Sequence, residues 1–268
     1  MTLPPDTAGI DAGASLWKLV YPGRPLEVAI LEAGDVTGTR EQLAAWQPRH
    51  VALTGGGAVA LRRELSAEDV RSVREFEAWG LGAPLLAKLE GLELPDRYLL
   101  VSLGTGTSML QVADGSAQRA GGTALGGGTL LGLGRLLLGV RSFREIAELA
   151  GRGDRRKVDL LVGDIYGEGE IALPADLNAS SFAKLDSQEP ADLAHAVMGV
   201  LGENVALIGA VVARANGLST AVFGGSTLRD NPTLRQILDE VSQMSGIRPL
   251  FLERGALCGA VGAAAAHS

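Results

Sequence analysis

Three glycine-rich segments stand out as places where chemistry can happen: residues 11–15 (Asp-Ala-Gly-Ala-Ser), 104–108 (Gly-Thr-Gly-Thr-Ser) and 126–129 (Gly-Gly-Gly-Thr). Each offers consecutive backbone N–H groups with no bulky side chain in the way, the arrangement that wraps phosphate oxygens. One such segment alone reads equally well as a hairpin that needs glycine for positive φ. Three of them, two opening similar halves of the chain and one at a helix N-terminus, point to a bound nucleotide. Neither Gly-x-x-x-x-Gly-Lys-Ser/Thr nor the dinucleotide-binding Gly-x-Gly-x-x-Gly is present, so the loops belong to neither of those classes. Asp11 sets a carboxylate beside the first loop, where a Mg²⁺ ion held partly through water would join it to phosphates; its bland role is to cap a turn. Lys18, on the strand leaving that loop, alternates with inward positions and reads either as a fixed positive charge for the same phosphates or as a solvated strand lysine.

The elements that must position these residues follow from the patterning. Apolar runs at 7–11, 16–21 and 26–31 with small-residue turns between them predict an antiparallel meander. A helix over 39–46 and a strand over 50–54 come next. Ser66-Ala-Glu-Asp69 has capping spacing and predicts a helix starting at Ser66, with Glu75 and Glu77 at or beyond its C-terminal part. The pattern restarts near Pro95 with strands over 98–103 and 109–113 and a hairpin turn at Asp114-Gly115. A glycine-rich stretch over 119–134 leads into a helix, Ser142 caps another running to 150, and residues 153–190 read as polar and irregular. Helices over 192–216, 232–246 and 255–266 alternate with strands over 221–225 and 249–253. This is a mixed α/β chain with an internal duplication, an N-terminal lobe over 1–95 and a C-terminal lobe over 96–268 facing one cleft.

Composition narrows the partners. Lys+Arg 24 against Asp+Glu 31 gives a net charge of −7 in 268 residues, which leaves no basic surface for a nucleic-acid backbone or an anionic membrane. Glycine, at 37 residues, is about twice its usual share of about 7%, while aromatics are 4%. The single cysteine, Cys258, lies among Gly and Ala and reads as a buried small hydrophobe in a reducing compartment. The first residues have neither the basic nor the apolar region of a secretory signal, and the longest apolar runs, 205–213 and 255–266, are too short to span a membrane. A cytoplasmic protein is expected.

Taken in order, the motifs Gly9-Ile-Asp-Ala-Gly-Ala-Ser-Leu-Trp-Lys18, Arg74-Glu-Phe-Glu-Ala78, Gly104-Thr-Gly-Thr-Ser108, Arg119-Ala-Gly-Gly-Thr123, Gly126-Gly-Gly-Thr129, Gly132-Leu-Gly134, Gly151-x-Gly-Asp154, Phe223-Gly-Gly-Ser226 and Gly255-x-x-x-Gly-Ala-x-Gly-Ala263 form a series from residue 9 to residue 263. The series resembles that of type II pantothenate kinases, members of the acetate kinase, sugar kinase, Hsp70 and actin superfamily. The resemblance implies duplicated actin-like ATPase (ribonuclease H-like) lobes with ATP in the cleft, and transfer of phosphate from ATP to the terminal hydroxyl of pantothenate, the first step towards coenzyme A. It puts Glu75 on the family's catalytic base, with Glu77 the competing carboxylate. A carboxylate within reach of a poorly nucleophilic alcohol accepts its proton as the phosphorus–oxygen bond forms.

By the same resemblance Ser108 and Arg119 hold pantothenate, and a planar guanidinium suits the substrate's carboxylate. The ATP positions are Asp11, Ala12, Gly13, Ala14, Ser15, Leu16, Trp17, Lys18 and Thr105 for the phosphates, with Mg²⁺ at Asp11. Gly127, Gly128, Thr129, Leu130, Leu131, Phe143 and Gly225 fall around the nucleoside. A homodimer is implied, with helix 192–216 as a candidate interface or a core helix, as is inhibition by coenzyme A thioesters in some members. Four positions depart from the family pattern: Ala14 and Ser15 replace Gly and Thr, Phe143 stands where relatives carry Tyr, and Gly225 where Ser is common. A Cβ on Ala14 costs about 1 kcal/mol if that residue has positive φ, which would weaken ATP binding. Two other readings keep the fold: a kinase of an amino sugar or other polyol, which gives Arg119 no carboxylate to pair with, and a non-catalytic nucleotide- or coenzyme A-binding regulator.

Overall fold

A computed structural model describes residues 3–65, 70–113, 116–166 and 174–266. The first half contains β1 (Thr7–Ala12), β2 (Leu16–Tyr21), β3 (Glu27–Glu32), α1 (Val36–Trp46), β4 (His50–Thr54), α2 (Ala58–Glu64), β5 (Val70–Ser72) and α3 (Glu75–Glu90). Its five strands form one sheet in the order β3-β2-β1-β4-β5, antiparallel through β1–β2–β3 and parallel through β1–β4–β5. The second half begins with β6 (Arg97–Leu103), β7 (Thr107–Ala113) and β8 (Ser116–Thr123), followed by α4 (Gly127–Leu133), α5 (Phe143–Ala150), a small hairpin of β9 (Leu160–Leu161) and β10 (Asn178–Ser180), and α6 (Val162–Ile165) between those two strands. It ends with α7 (Pro190–Ala215), β11 (Thr220–Gly224), α8 (Pro232–Met244), β12 (Arg248–Phe251) and α9 (Cys258–Ala265). Its main sheet reads β12-β11-β6-β7-β8, with β6–β7–β8 antiparallel and β6–β11–β12 parallel. The two sheets therefore repeat one topology, the duplication that the two meanders predicted.

The central strands are buried along their length because they carry short apolar or small side chains on both faces, as in TAGIDA of β1 and TAVFG of β11. Helix α7 is the spine of the second half, with Ala194, Val197, Leu201, Val205 and Ala213 in its core. By length and composition this 26-residue helix is apolar enough to cross a membrane, but 67% of its most apolar window is buried inside the protein, which is how the core helix of a globular lobe behaves. Cys258 is fully buried, and burial raises its thiol pKa far above the ordinary range, in keeping with an inert packing residue.

Helices α3 and α9 join the halves. Helix α9, from the end of the chain, packs on β1 and β4 of the first sheet, and α3 packs on β8 of the second. The contacts are at backbone distance. A Cβ on Gly82 of α3 would run into the carbonyl of Cys258, one on Gly262 of α9 into the carbonyl of Ala78, and one on Gly9 of β1 into the carbonyl of Ala260. Gly80 likewise leaves room for the Ala117 methyl of β8.

Four expectations are revised. Residues 66–69 lie outside the described residues, but Val70–Ser72 is a strand paired in parallel with β4, and the helix carrying Glu75 starts at Glu75 itself. Tertiary pairing with β4 overrides the local capping signal there. The 119–123 part of the glycine-rich stretch is strand, where Gly121 and Gly122 accept the close approach of Val212 and of the Thr107 carbonyl. Helix α2 went unrecognised. The 153–190 stretch, apart from residues 167–173 outside the description, contains the β9–β10 hairpin, α6 and a single 3₁₀ turn at Arg155–Lys157. The turn at Asp114-Gly115 also lies outside the described residues.

Replacing Gly82 or Gly262 by Ala is expected to lower stability by about 1–3 kcal/mol or more through forced separation of α3 and α9. Gly132→Ala, on the exposed side of α4 with open space around its Cβ position, is expected to be neutral or to stabilise by up to about 1 kcal/mol. Urea unfolding of the three variants checks the contrast.

Candidate active site

Asp11 and Lys18 are opposite partners in the β1–β2 ladder, so the pleat puts both side chains on the same face. Lys18 Nζ donates to Asp11 Oδ2 at 3.3 Å, with both residues buried. Glycines close in on the carboxylate: a Cβ on Gly259 of α9 would lie 2.9 Å from Oδ2, and one on Gly55 would lie 2.7 Å from Oδ1. Gly13 clears the ammonium, since a Cβ there would lie 3.1 Å from Nζ. Burial raises the pKa of Asp11, and the charge and hydrogen bond of Lys18 pull it back down.

Glu75 is the first residue of α3, where the free N–H groups of the first turn favour a negative charge. Its pKa is raised, first by desolvation and then by the negative charge of Asp11, with Lys18 opposing. The carboxylate therefore belongs to one electrostatic group with the pair on β1 and β2. Glu77, the competing candidate, turns outward and pairs with Arg74 at 3.4 Å. It does not line the cavity that Glu75 lines.

Two cavities adjoin. One, of about 590 Å³, brings together Asp11, Gly13, Ala14, Lys18, Glu75, Ser108 and Arg119, with Trp79 and Gly122 in its walls. The other, of about 680 Å³, is lined by Gly127, Gly128, Leu131 and Phe143, together with Arg135, Arg144, Thr227 and Arg229. They share Ser15, Leu16, Gly104, Thr105 and Ser226. At that junction the first two glycine-rich loops touch, Ser15 Oγ to Thr105 Oγ1 at 2.8 Å. Phe143 follows the cap Ser142, whose hydroxyl accepts from the Glu145 N–H. The Arg119 guanidinium lies over Gly122, where a Cβ would stand 3.2 Å from Nη2, and has no carboxylate partner among the described residues. A free guanidinium at a cavity wall is suited to a ligand carboxylate or phosphate.

Several expected site residues have other roles. Ala12, Trp17 and Leu130 are core residues, and the Thr129 hydroxyl bonds the Ala124 carbonyl and the Gly126 N–H. The third loop does not present all its amides to a phosphate: Gly127 N donates to the Gly104 carbonyl at 2.8 Å and Gly128 N to the Thr105 carbonyl at 3.0 Å. It acts as a fitted floor joined to the second loop. Gly225 is absent from both cavity linings; with φ +115° and its Cβ position against the Leu103 carbonyl, it is required to be glycine. Ala14 is not among the described non-glycine residues with positive φ, so the expected strain at that position does not arise. Trp79, Arg135, Arg144, Thr227 and Arg229 were not anticipated. For Trp79 a signal existed, since it stands four residues after Glu75 and so on the same helical face.

Among the described residues no group of three or more His, Cys, Asp or Glu side chains is arranged to hold a metal. Mg²⁺ keeps water and nucleotide phosphates as most of its ligands, so one protein carboxylate is enough to fit it; Asp11, which faces the cavity beside Lys18, is a carboxylate of that kind.

The Fumble family model matches residues 91–266. The type II pantothenate kinase of Staphylococcus haemolyticus is 35% identical over 95% of this chain and 97% of its own length, and that of Staphylococcus aureus is 34% identical over the same shares. Among solved structures, the activator of the 2-hydroxyisocaproyl-CoA dehydratase from Clostridium difficile with bound ADPNP aligns with a TM-score of 0.62 at 15% identity, over 96% of this chain and 92% of its own. A ROK family glucokinase from Streptomyces griseus in complex with glucose and AMPPNP aligns with a TM-score of 0.60 at 14% identity, over 97% and 98%. At such identities these two speak for the fold, the actin-like α/β architecture of two similar lobes.

Asp11→Asn removes a negative charge that raises the Glu75 pKa and leaves the opposing charge of Lys18 in place, so the Glu75 pKa falls. A ¹³C NMR titration of the glutamate carboxyl groups is expected to show the Glu75 midpoint falling in the variant while other glutamates stay in place.

Proposed function

The chain belongs to the type II pantothenate kinase family, and it phosphorylates pantothenate with ATP, the reaction that opens coenzyme A synthesis; from that premise we propose how its residues divide the work. Glu75 is the general base. Ser108 and Arg119 hold the acceptor, the guanidinium taking its carboxylate as a bidentate pair. Lys18 and the amides of the first two loops bear on the phosphates. Gly127, Gly128, Leu131 and Phe143 surround the nucleoside, and Asp11 holds Mg²⁺, which supplies charge neutralisation on the nucleotide phosphates when bound.

In the transfer, the acceptor's terminal hydroxyl oxygen forms a bond to the γ-phosphorus as the bond from that phosphorus to the β-bridging oxygen breaks. ADP leaves with the electron pair, and the hydroxyl proton passes to a Glu75 carboxylate oxygen. Lys18 faces the charge on the transferring group and is held in place by Asp11, so it needs no reorganisation during the step. One observation carries this reading: a carboxylate of raised pKa and a guanidinium with no carboxylate partner among the described residues line one cavity that opens at Ser15 and Thr105 onto a second, larger one. The free guanidinium also favours an acceptor with a carboxylate over a neutral sugar or polyol.

A homodimer is the proposed assembly, formed through the outer face of α7. Leu207 and Val211, one turn apart, are 47% and 62% exposed there and, with the neighbouring Asn204 and Arg214, form the open side of a helix whose other face is buried. Sedimentation of the wild type at micromolar concentration is expected to give a dimer and Val211→Asp a monomer; a monomeric wild type rejects the assembly.

Because a base must be ionised, kcat/KM for pantothenate is expected to rise with pH through the Glu75 midpoint, which lies above the ordinary glutamate value. Glu75→Gln should lower kcat by roughly 10²–10⁴ and remove that limb, with ADP affinity nearly unchanged. An ADP-release assay with pantothenate, with N-acetylglucosamine and with no acceptor, followed by mass analysis of the product, tests the whole reading. Turnover of the sugar in preference to pantothenate would replace it with the polyol kinase.

A further inference from the structure

Trp79 is used by nothing in the mechanism above, yet among the described residues it is the one aromatic side chain lining the acceptor cavity. It is 7% exposed, so its ring is fixed by packing rather than free to swing out. Its place follows from the helix. Four residues after Glu75, it lies on the same face of α3, about 6 Å further along the axis. The next residue, Gly80, is where α3 meets Ala117 of β8, the strand that carries Arg119 two positions later. The indole therefore belongs to the wall that connects the base on α3 with the guanidinium on β8.

The rest of that lining is mostly polar or glycine: Asp11, Lys18, Ser102 and Thr107 accompany the three acceptor-handling residues. A wall with a proton acceptor at one end, a cation at the other and a hydrocarbon plate between them suits a molecule of matching order. Pantothenate has that order, a hydroxymethyl group, then a carbon bearing two methyl groups, then a carbon with a secondary hydroxyl that leads into an amide chain ending in a carboxylate.

We propose that Trp79 is a specificity-determining residue whose indole face packs on the dimethyl carbon beside the reacting hydroxyl. Its contribution is discrimination. An acceptor with hydroxyls in place of those methyls would set polar groups against a ring that offers them no partner at its face, and would lose the water they had bonded. The methyls also fix the hydroxyl's orientation towards Glu75, since a branched carbon seated on a rigid plate has few ways to turn. This inference rests on the pantothenate kinase reading.

The test crosses a change in the enzyme with a change in the acceptor. Wild type, Trp79→Phe and Trp79→Leu are assayed with pantothenate and with its analogue carrying hydrogens in place of the two methyl groups, and ADP binding and thermal unfolding are recorded for each. Trp79→Leu is expected to lose about 10- to 100-fold in kcat/KM for pantothenate, while its value for the analogue stays within about threefold of wild type. Trp79→Phe, which keeps an aromatic face and folds even if the leucine variant does not, is expected to lie between. Equal losses on both acceptors, or no loss on either, overturn the proposal and leave the kinase reading standing. Absence of pantothenate turnover in the wild type overturns both.

Discussion

Helix α9 runs so close to β1 on one side and to α3 on the other that main chain meets main chain. Gly9, Gly82, Gly259 and Gly262 make this approach possible, and at each a Cβ would meet a carbonyl or the Asp11 carboxylate. The consequence is geometric. Asp11 sits on β1 and Glu75 at the start of α3, so the separation of the two carboxylates is fixed by the thickness of one glycine- and alanine-lined helix. A larger residue anywhere along that seam moves one relative to the other, and displacements of about 1 Å are enough to matter in phosphoryl transfer. The same seam explains the composition: an interior built on close backbone approach uses small residues and leaves little room for aromatics. It also makes the last helix of the chain part of the first lobe's chemistry.

Electrostatics builds on that frame. A buried carboxylate is costly unless paired, and Asp11 is paired across the ladder with Lys18. The pair is not electrically closed, because both charges reach Glu75, one raising and the other lowering its proton affinity. Burial of Glu75 adds to the first. The result is a carboxylate whose proton affinity exceeds that of a solvated one, the direction that, on the proposed reading, makes it a better acceptor for an alcohol's proton. Moving Glu75 into the interior of α3 would forfeit the free N–H groups of the first turn and with them part of its tolerance of charge.

What was legible in the sequence was local. The meanders, Asp11 beside a glycine loop, Lys18 on the strand that leaves it, and the Ser142 cap each rest on spacings of a few residues. What was not legible depends on partners distant in the chain. Val70–Ser72 becomes a strand because β4 is there to receive it, and the glycines at 121 and 122 stay in β8 because α7 and β7 press on them. The third loop's amides looked like phosphate donors; the carbonyls that occupy them, at 104 and 105, come from another hairpin. Gly225 looked like a lost serine, and only its φ of +115° beside Leu103 shows that a side chain has no place there.

Ser15 shows how a departure from the family pattern is absorbed. Its hydroxyl and that of Thr105 meet where the two cavities join, so on the proposed reading a phosphate chain running from one cavity to the other passes between them. Each hydroxyl has one proton to donate and can rotate, so the bond they share is exchangeable for bonds to phosphate oxygens. Bonds to charged acceptors are the stronger kind, about twice a neutral pair, which favours the exchange. Serine keeps this capacity in full, since what the position needs is the hydroxyl and not threonine's methyl. Ala14 beside it has no positive φ to strain against its Cβ. On that reading the first loop retains its hydroxyl donor, with two of the residues of the family pattern exchanged.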